Sequence, residues 1–326
     1  MSSLSRETVR KLAPYKPGTT IEEVRRDFGL ERIIKLASNE NPIGSSPKAL
    51  AALKEIGNLN LYLDDSYPEL RERIAAPYGM HAENVVLGHG SNELVNIVCE
   101  TVLESGDEAV MATPSFSLYR LAAVLQGARA VEVPLDAAGV HDFDAMLATV
   151  TGRTKLLFVC DPNNPTGTAV TAESWERFAA ALPERVTLLV DQAYREYMDP
   201  HGVDATQFVR ARENTIVLRT MSKIYGLAGL RFGYGFAGAE LAGFLNRVRL
   251  PFNISRPAAL GAAAALSDAE FVAKSQALNA AGKDFIAFEF ARLRLHYYPT
   301  QANFYALALP VAATQAYAEL LARGII

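Results

Sequence analysis

TMSKIYGLAGLRFG, residues 220–233, places a single lysine, Lys223, directly after Ser222 and sets Arg231 downstream among Gly226, Gly229 and Gly233. A lysine amine forms an imine with an aldehyde. A serine hydroxyl and a planar guanidinium suit a phosphate, and glycines let backbone approach a ligand closely. Together these groups describe the two ends of one molecule, pyridoxal phosphate. A lysine met alone is more often a surface residue, so the reading depends on what the rest of the chain supplies.

The chain has 326 residues, 50% hydrophobic and 21% charged. That is globular composition, enough for one large core and a smaller unit. The net charge of −4 comes with no basic stripe, so nucleic acid is not an expected partner. No apolar run approaches the ~20 residues of a membrane span, and MSSLSRETVRKLAPYKPG at the start lacks the apolar centre of a secretory signal. Cys99 and Cys160 lie in apolar runs and read as buried free thiols in a reducing cytoplasm. The histidines are scattered without metal-ligand spacing.

Short apolar runs alternate with amphipathic stretches from about residue 85 to 240. The expected strands are 84–87, 108–112, 130–133, 156–160, 187–190, 215–218 and 232–236. Helices are expected over 92–103 and 172–182 between them, and over 258–265 and 270–295 after them. Continuous apolar strands alternating with helices argue for an α/β fold with a covered, mostly parallel sheet. Residues 1–30 read as an N-terminal arm, 31–240 as a large domain and 241–326 as a smaller α+β domain, with a strand near 304–309.

The polar clusters all follow strands. GHGSN (88–92), TPSF (113–116), DPNNPTG (161–167), DQAY (191–194) and TMSK (220–223) each come directly after an apolar run. In an open α/β sheet, ligands bind beyond the carboxyl ends of the strands, so the clusters predict one shared site. Each also has a plainer reading. Ser91 and Asn92 could hold an anion at a helix N-terminus or simply cap the helix. Asp191, ending a very apolar strand, needs a partner: a pyridinium nitrogen would serve, and so would a helix start. Tyr194 could reach a ring oxygen. Asn164 could do the same or serve only the turn. Phe116 could stack on a flat ring or fill the core.

Taken in order, DPNNPTG, Asp191-Gln-Ala-Tyr194 and Ser222-Lys223 with Arg231 resemble fold-type I pyridoxal-phosphate aminotransferases. KLASNENPIGSSP (35–47), LYLDDSYPELR (61–71), GHGSNEL (88–94), PSFSLYRLAA (114–123) and LAPYKPG (12–18) narrow the resemblance to the histidinol-phosphate aminotransferases, a class II-like group, over essentially the whole chain.

That resemblance implies a large domain with a seven-stranded sheet, a small C-terminal domain and a homodimer. It implies that Lys223 binds the cofactor aldehyde and then moves protons, that Asp191 partners the ring nitrogen, and that Tyr194 and Asn164 meet the ring oxygen. Phe116 matches the stacking aromatic. Ser91, Ser222 and Arg231 match the phosphate cup, flanked by Gly90 and Asn92. Tyr62 matches a tyrosine reaching the phosphate from the other subunit, Tyr15 an N-terminal tyrosine near the substrate, and Asn39 a segment lining the substrate pocket. The implied reaction is transamination between L-histidinol phosphate and 2-oxoglutarate in the cytoplasm. Aromatic amino acids, or a threonine-phosphate decarboxylase chemistry, are the alternatives. Members of the group continue some tens of residues past the position of Ile326, with arginines for the substrate's phosphate or carboxylate. The small domain is therefore expected to be truncated, with cofactor binding intact and turnover weak.

Overall fold

The computed structural model describes residues 4–10, 12 and 18–326. The large domain is built on a seven-stranded sheet. Its strands are β1 (Val85–Gly88), β2 (Glu108–Thr113), β3 (Arg129–Pro134), β4 (Thr154–Cys160), β5 (Thr187–Asp191), β6 (Thr215–Thr220) and β7 (Gly233–Ala237). All seven expected strands are present, shifted by a residue or two at their ends. Their order is β1-β7-β6-β5-β4-β2-β3. β7 runs antiparallel to both neighbours, and the other pairings are parallel.

The strand side chains alternate between two faces with period 2, and both faces are buried. Leu157, Val159, Leu188, Val190 and Val217 face a core that holds Trp175 and Phe178 from the helix Ala172–Ala181. Leu156, Phe158, Leu189, Ile216 and Leu218 face a second core with Leu94, Val95 and Val98 from the helix Ser91–Val102. Covering on both faces explains why these strands read as unbroken apolar runs. It also leaves the strand ends as the place where polar side chains collect. Because β1, β2, β4, β5 and β6 point the same way, Gly88, Thr113, Cys160, Asp191 and Thr220 all finish on one edge.

The arm expected over 1–30 contains a capped helix, Ile21–Phe28. Thr20 and Glu23 form a reciprocal capping box, and Gly29 closes the helix at φ 66°. The low hydrophobicity of that stretch hid a helix fixed by its caps.

The sheet's cores also draw on helices beyond residue 240. The helices Ala239–Val248 and Arg256–Ala265 contribute Ala242, Leu245, Ala258, Ala259, Ala262 and Ala265 to the two cores of the sheet. After them come the long helix Ala269–Arg292 and a two-stranded sheet of β8 (His296–Tyr297) and β9 (Leu307–Ala308). Residues 34–37 meet the C-terminal residues: Ile34 bridges Ile325, and the amides of Leu36 and Ala37 donate to Ile326 O. Among the described residues no helix is long and apolar enough to cross a membrane.

Candidate active site

A cavity of about 360 Å³ opens at the edge where the parallel strands end. Ten of the sequence-predicted residues line it: Asn39, Ser91, Asn92, Phe116, Asn164, Asp191, Tyr194, Ser222, Lys223 and Arg231. Gly90 stands directly behind, as the N-cap of the helix Ser91–Val102.

One end of the cavity is an anion cradle. The helix Ser91–Val102 points its N-terminus there, offering unpaired backbone amides and the positive end of its dipole. Arg231 adopts a left-handed conformation, φ 56°, which turns its side chain back across the glycine-rich loop. Its Nη1 donates to Ala228 O at 3.1 Å and lies 3.4 Å from Ser222 Oγ. A Cβ on Gly90 would fall 2.5 Å from Arg231 Nη2, and one on Gly233 would strike the Gly90–Ser91 backbone. Both positions require glycine so that guanidinium, helix start and β7 can converge.

The floor is formed by Asp191, at the end of β5. It is buried, with Tyr119 Oη donating to Oδ2 at 2.9 Å and the Ala193 amide donating to Oδ1 at 3.2 Å. Burial pushes its carboxyl pKa up, and those two hydrogen bonds oppose the shift. A buried carboxylate at a cavity wall calls for a cationic partner on the open side. Phe116 forms an adjoining wall, edge-on to Tyr119 with centroids 5.6 Å apart.

The two asparagines of DPNNPTG divide the readings offered for that turn. Asn163 is fully buried and holds the loop, accepting from Ser115 Oγ at 2.8 Å and donating to Thr166 Oγ1 at 2.9 Å. Asn164 faces the cavity. Asp161 is also buried, but it takes hydrogen bonds from Trp175 Nε1 and the Val170 amide and serves the turn. Burial raises its pKa to about 6.

Lys223 lines the same cavity. Its Nζ donates to Ser38 O at 2.8 Å and lies 5.6 Å from the centre of the Tyr194 ring. Burial lowers its pKa to about 8, with Glu40 acting in the opposite direction. The neutral, nucleophilic form of the amine is therefore far more available near neutral pH than in an ordinary lysine. Tyr194 Oη accepts from Asn39 Nδ2 at 3.0 Å, and burial holds its phenol protonated. Ser38 and Asn39 themselves have φ of 68° and 51°, unusual for residues other than glycine.

Tyr62 is not brought to this cavity. It is 80% exposed, with its ring 4.4 Å from that of Phe252. Tyr15 lies outside the described residues. Sequence reasoning missed Ser38, Glu40 and Tyr119. The first two flank Asn39, so their neighbourhood was visible though their direction was not. Tyr119 stands three residues after Phe116, a spacing that turns two side chains to neighbouring positions at a helix start.

The family model for aminotransferase class I and II matches residues 31–326. This chain belongs to that family. As a member it is an aminotransferase, and the cavity is placed where its order of motifs expects one. The chain is 45% identical to the histidinol-phosphate aminotransferase of Moorella thermoacetica over 98% of its own length and 84% of that protein. It is 44% identical to the Brevibacillus brevis protein of the same name, over 96% of this chain and 86% of the relative. Among solved structures, histidinol-phosphate aminotransferase from Sinorhizobium meliloti in complex with pyridoxal-5'-phosphate superposes with a TM-score of 0.91 at 27% identity, covering 100% of this chain and 89% of that one. Aspartate aminotransferase from Thermus thermophilus, at 22% identity and a TM-score of 0.85, shares the fold.

Proposed function

We propose that this aminotransferase uses pyridoxal 5'-phosphate to move the amino group of L-histidinol phosphate to 2-oxoglutarate, giving imidazole acetol phosphate and glutamate, a cytoplasmic step of histidine biosynthesis. The meeting of Lys223, Asp191 and Arg231 in one cavity carries the reaction class. The choice of donor rests on the likeness to relatives of that name.

The residues present fit the cofactor on three independent counts. The cradle at Gly90, Ser91, Ser222 and Arg231 suits a phosphate, and the glycines at 90 and 233 let its parts converge. The buried Asp191 carboxylate wants a cation at the cavity wall, and a protonated pyridine nitrogen is one. The Lys223 amine, partly neutral, is suited to an aldehyde.

When bound, the cofactor supplies a protonated ring that withdraws electrons from the Cα of the amine attached to it. Lys223 would hold the cofactor through its aldehyde, and its Nζ would serve as base and then acid for the donor's Cα proton. Asp191 keeps the proton on the ring nitrogen. The Tyr194 hydroxyl and the Asn164 amide serve the ring oxygen, Phe116 covers a ring face, and Asn39 reaches the donor. The functional unit in this reading is a homodimer in which Tyr62 crosses to the neighbouring site. The exposed Tyr62–Phe252 pair, beside exposed Leu59, Leu61 and Leu250, supports such a contact.

A donor panel tests the proposal. Glutamate formation from 2-oxoglutarate should be fastest with L-histidinol phosphate. Faster turnover of phenylalanine would overturn the donor, and carbon dioxide release from O-phospho-L-threonine would overturn the reaction class. Mixing Tyr62→Phe chains with Lys223→Ala chains should restore part of the activity, because hybrid dimers then contain one intact site. No recovery removes Tyr62 from the neighbour's site.

A further inference from the structure

Tyr119 is almost wholly buried, 1% exposed, in the helix Leu118–Leu125. Its ring stacks on Phe158 at 4.9 Å between centroids and meets the edge of Phe116 at 5.6 Å. Those contacts ask only for a phenyl group. The hydroxyl adds a buried polar atom that must be satisfied, and its partner is Asp191 Oδ2 at 2.9 Å. Phenylalanine would pack the same core without that requirement. The hydroxyl therefore has a task at Asp191.

We propose that Tyr119 is a positioning residue of the transamination: its hydrogen bond holds the Asp191 carboxylate ionised and fixed in direction, and so governs how firmly the cofactor's ring nitrogen keeps its proton. The inference rests on the assignment of Asp191 to that nitrogen.

The physical argument is a competition for one proton. A proton shared between a carboxylate and a pyridine nitrogen sits on nitrogen when the carboxylate is the weaker base. Burial makes Asp191 a stronger base, and hydrogen bonds from Tyr119 and the Ala193 amide make it a weaker one. Without the phenol, the proton moves toward the carboxylate oxygen. The ring becomes neutral and attracts the Cα electrons less strongly. Tyr119 stays a donor throughout, because its burial beside Asp191 pushes its own ionisation far above the usual phenol range. Lys223 and Arg219 also act on Asp191 from a distance in the same sense as the phenol. The phenol differs from them in touching Oδ2, so it sets direction as well as charge. Tyr119 also ties two walls together: the residue bonded to Asp191 is the one on which Phe116 rests.

The test uses the holoenzyme carrying pyridoxal phosphate labelled with 15N in the ring, comparing the parent chain, Tyr119→Phe and Asp191→Asn. In the parent the 15N shift should report a protonated nitrogen, and Asp191→Asn should move it fully to the unprotonated range. Tyr119→Phe should move it part of the way and lower kcat about tenfold, the scale of a hydrogen bond to a charged group, with the donor's KM within about twofold. If Asp191→Asn moves the shift and Tyr119→Phe leaves both shift and kcat unchanged, Tyr119 is packing alone. If Asp191→Asn leaves the shift unchanged, the assignment of Asp191 fails, and the inference fails with it. Fluorotyrosines placed at position 119 keep the ring and grade the phenol's acidity, so a Phe variant that failed to fold would not end the test. The shift should follow that acidity, and a flat response overturns the proposal.

Discussion

Asp191 and Ser38 line the same cavity and are held by different means. Asp191 ends a strand paired on both sides, inside two apolar cores, with a hydrogen bond on each carboxylate oxygen. Ser38 belongs to a turn of positive φ. The bonds around it come from scattered places: Lys223 Nζ to Ser38 O, Asn39 Nδ2 to Tyr194 Oη, and Asn303 Nδ2 to Asn39 O. Asn41 Nδ2 reaches both Ile224 O and Ser275 Oγ. The floor at Asp191 is positioned by the sheet, and the roof, the turn at Ser38 and Asn39, is tied down by single side-chain contacts from distant parts of the chain. A rigid floor suits a cofactor that stays in place through every cycle. A roof of separate ties suits substrates that enter and leave.

Four substitutions can break or sharpen that contrast. Lys223→Ala, at the junction of floor and roof, should lower turnover by about 10³-fold or more, measured as glutamate formation, since it removes both nucleophile and proton carrier. The lysine's depressed pKa adds a pH signature in the apoenzyme. Only the neutral amine attacks an aldehyde, so the rate of pyridoxal phosphate capture should rise with pH and level off above about 8, read by absorbance in a rapid-mixing experiment. Arg231→Ala, in the anion cradle, should weaken cofactor affinity roughly 10- to 100-fold, the equivalent of one charged hydrogen bond, measured by equilibrium dialysis. Asn39→Ala, in the roof, should reduce kcat/KM about fivefold while cofactor affinity stays within twofold, because a neutral hydrogen bond contributes about 1 kcal/mol. Asn303→Ala should act in the same direction and less, about two- to threefold, through Asn39 O alone. Loss of cofactor from either roof variant would show that the two regions are not separate in function.

The side of the cavity built by the strand ends was the legible region. Asp191, Asn164, Phe116 and Lys223 each follow an apolar run, and parallel strands bring such ends to one edge. Tyr194 came with them, three residues beyond Asp191. Tyr119 escaped because nothing in one sequence separates a buried phenol from a buried phenyl. The roof was half legible. Asn39 was named for its motif, yet the backbone turn that directs Ser38 O to Lys223 depends on partners far away in the chain. The packing of the alanine-rich helices on the sheet was hidden for another reason: such helices look alike whatever they cover, and their small side chains reveal it only through contact. Tyr62 was placed by resemblance, and within one chain it lies on the surface.

The ties also bear on the order in which the site is made. Asn303 lies 264 residues from Asn39 and well after every cradle residue from Gly90 to Arg231. Synthesis proceeds from the N-terminus, so the residues of the cradle and the lysine exist before the Asn303 tie can form. A newly made chain would thus gain the means to hold pyridoxal phosphate first, and the means to use it last.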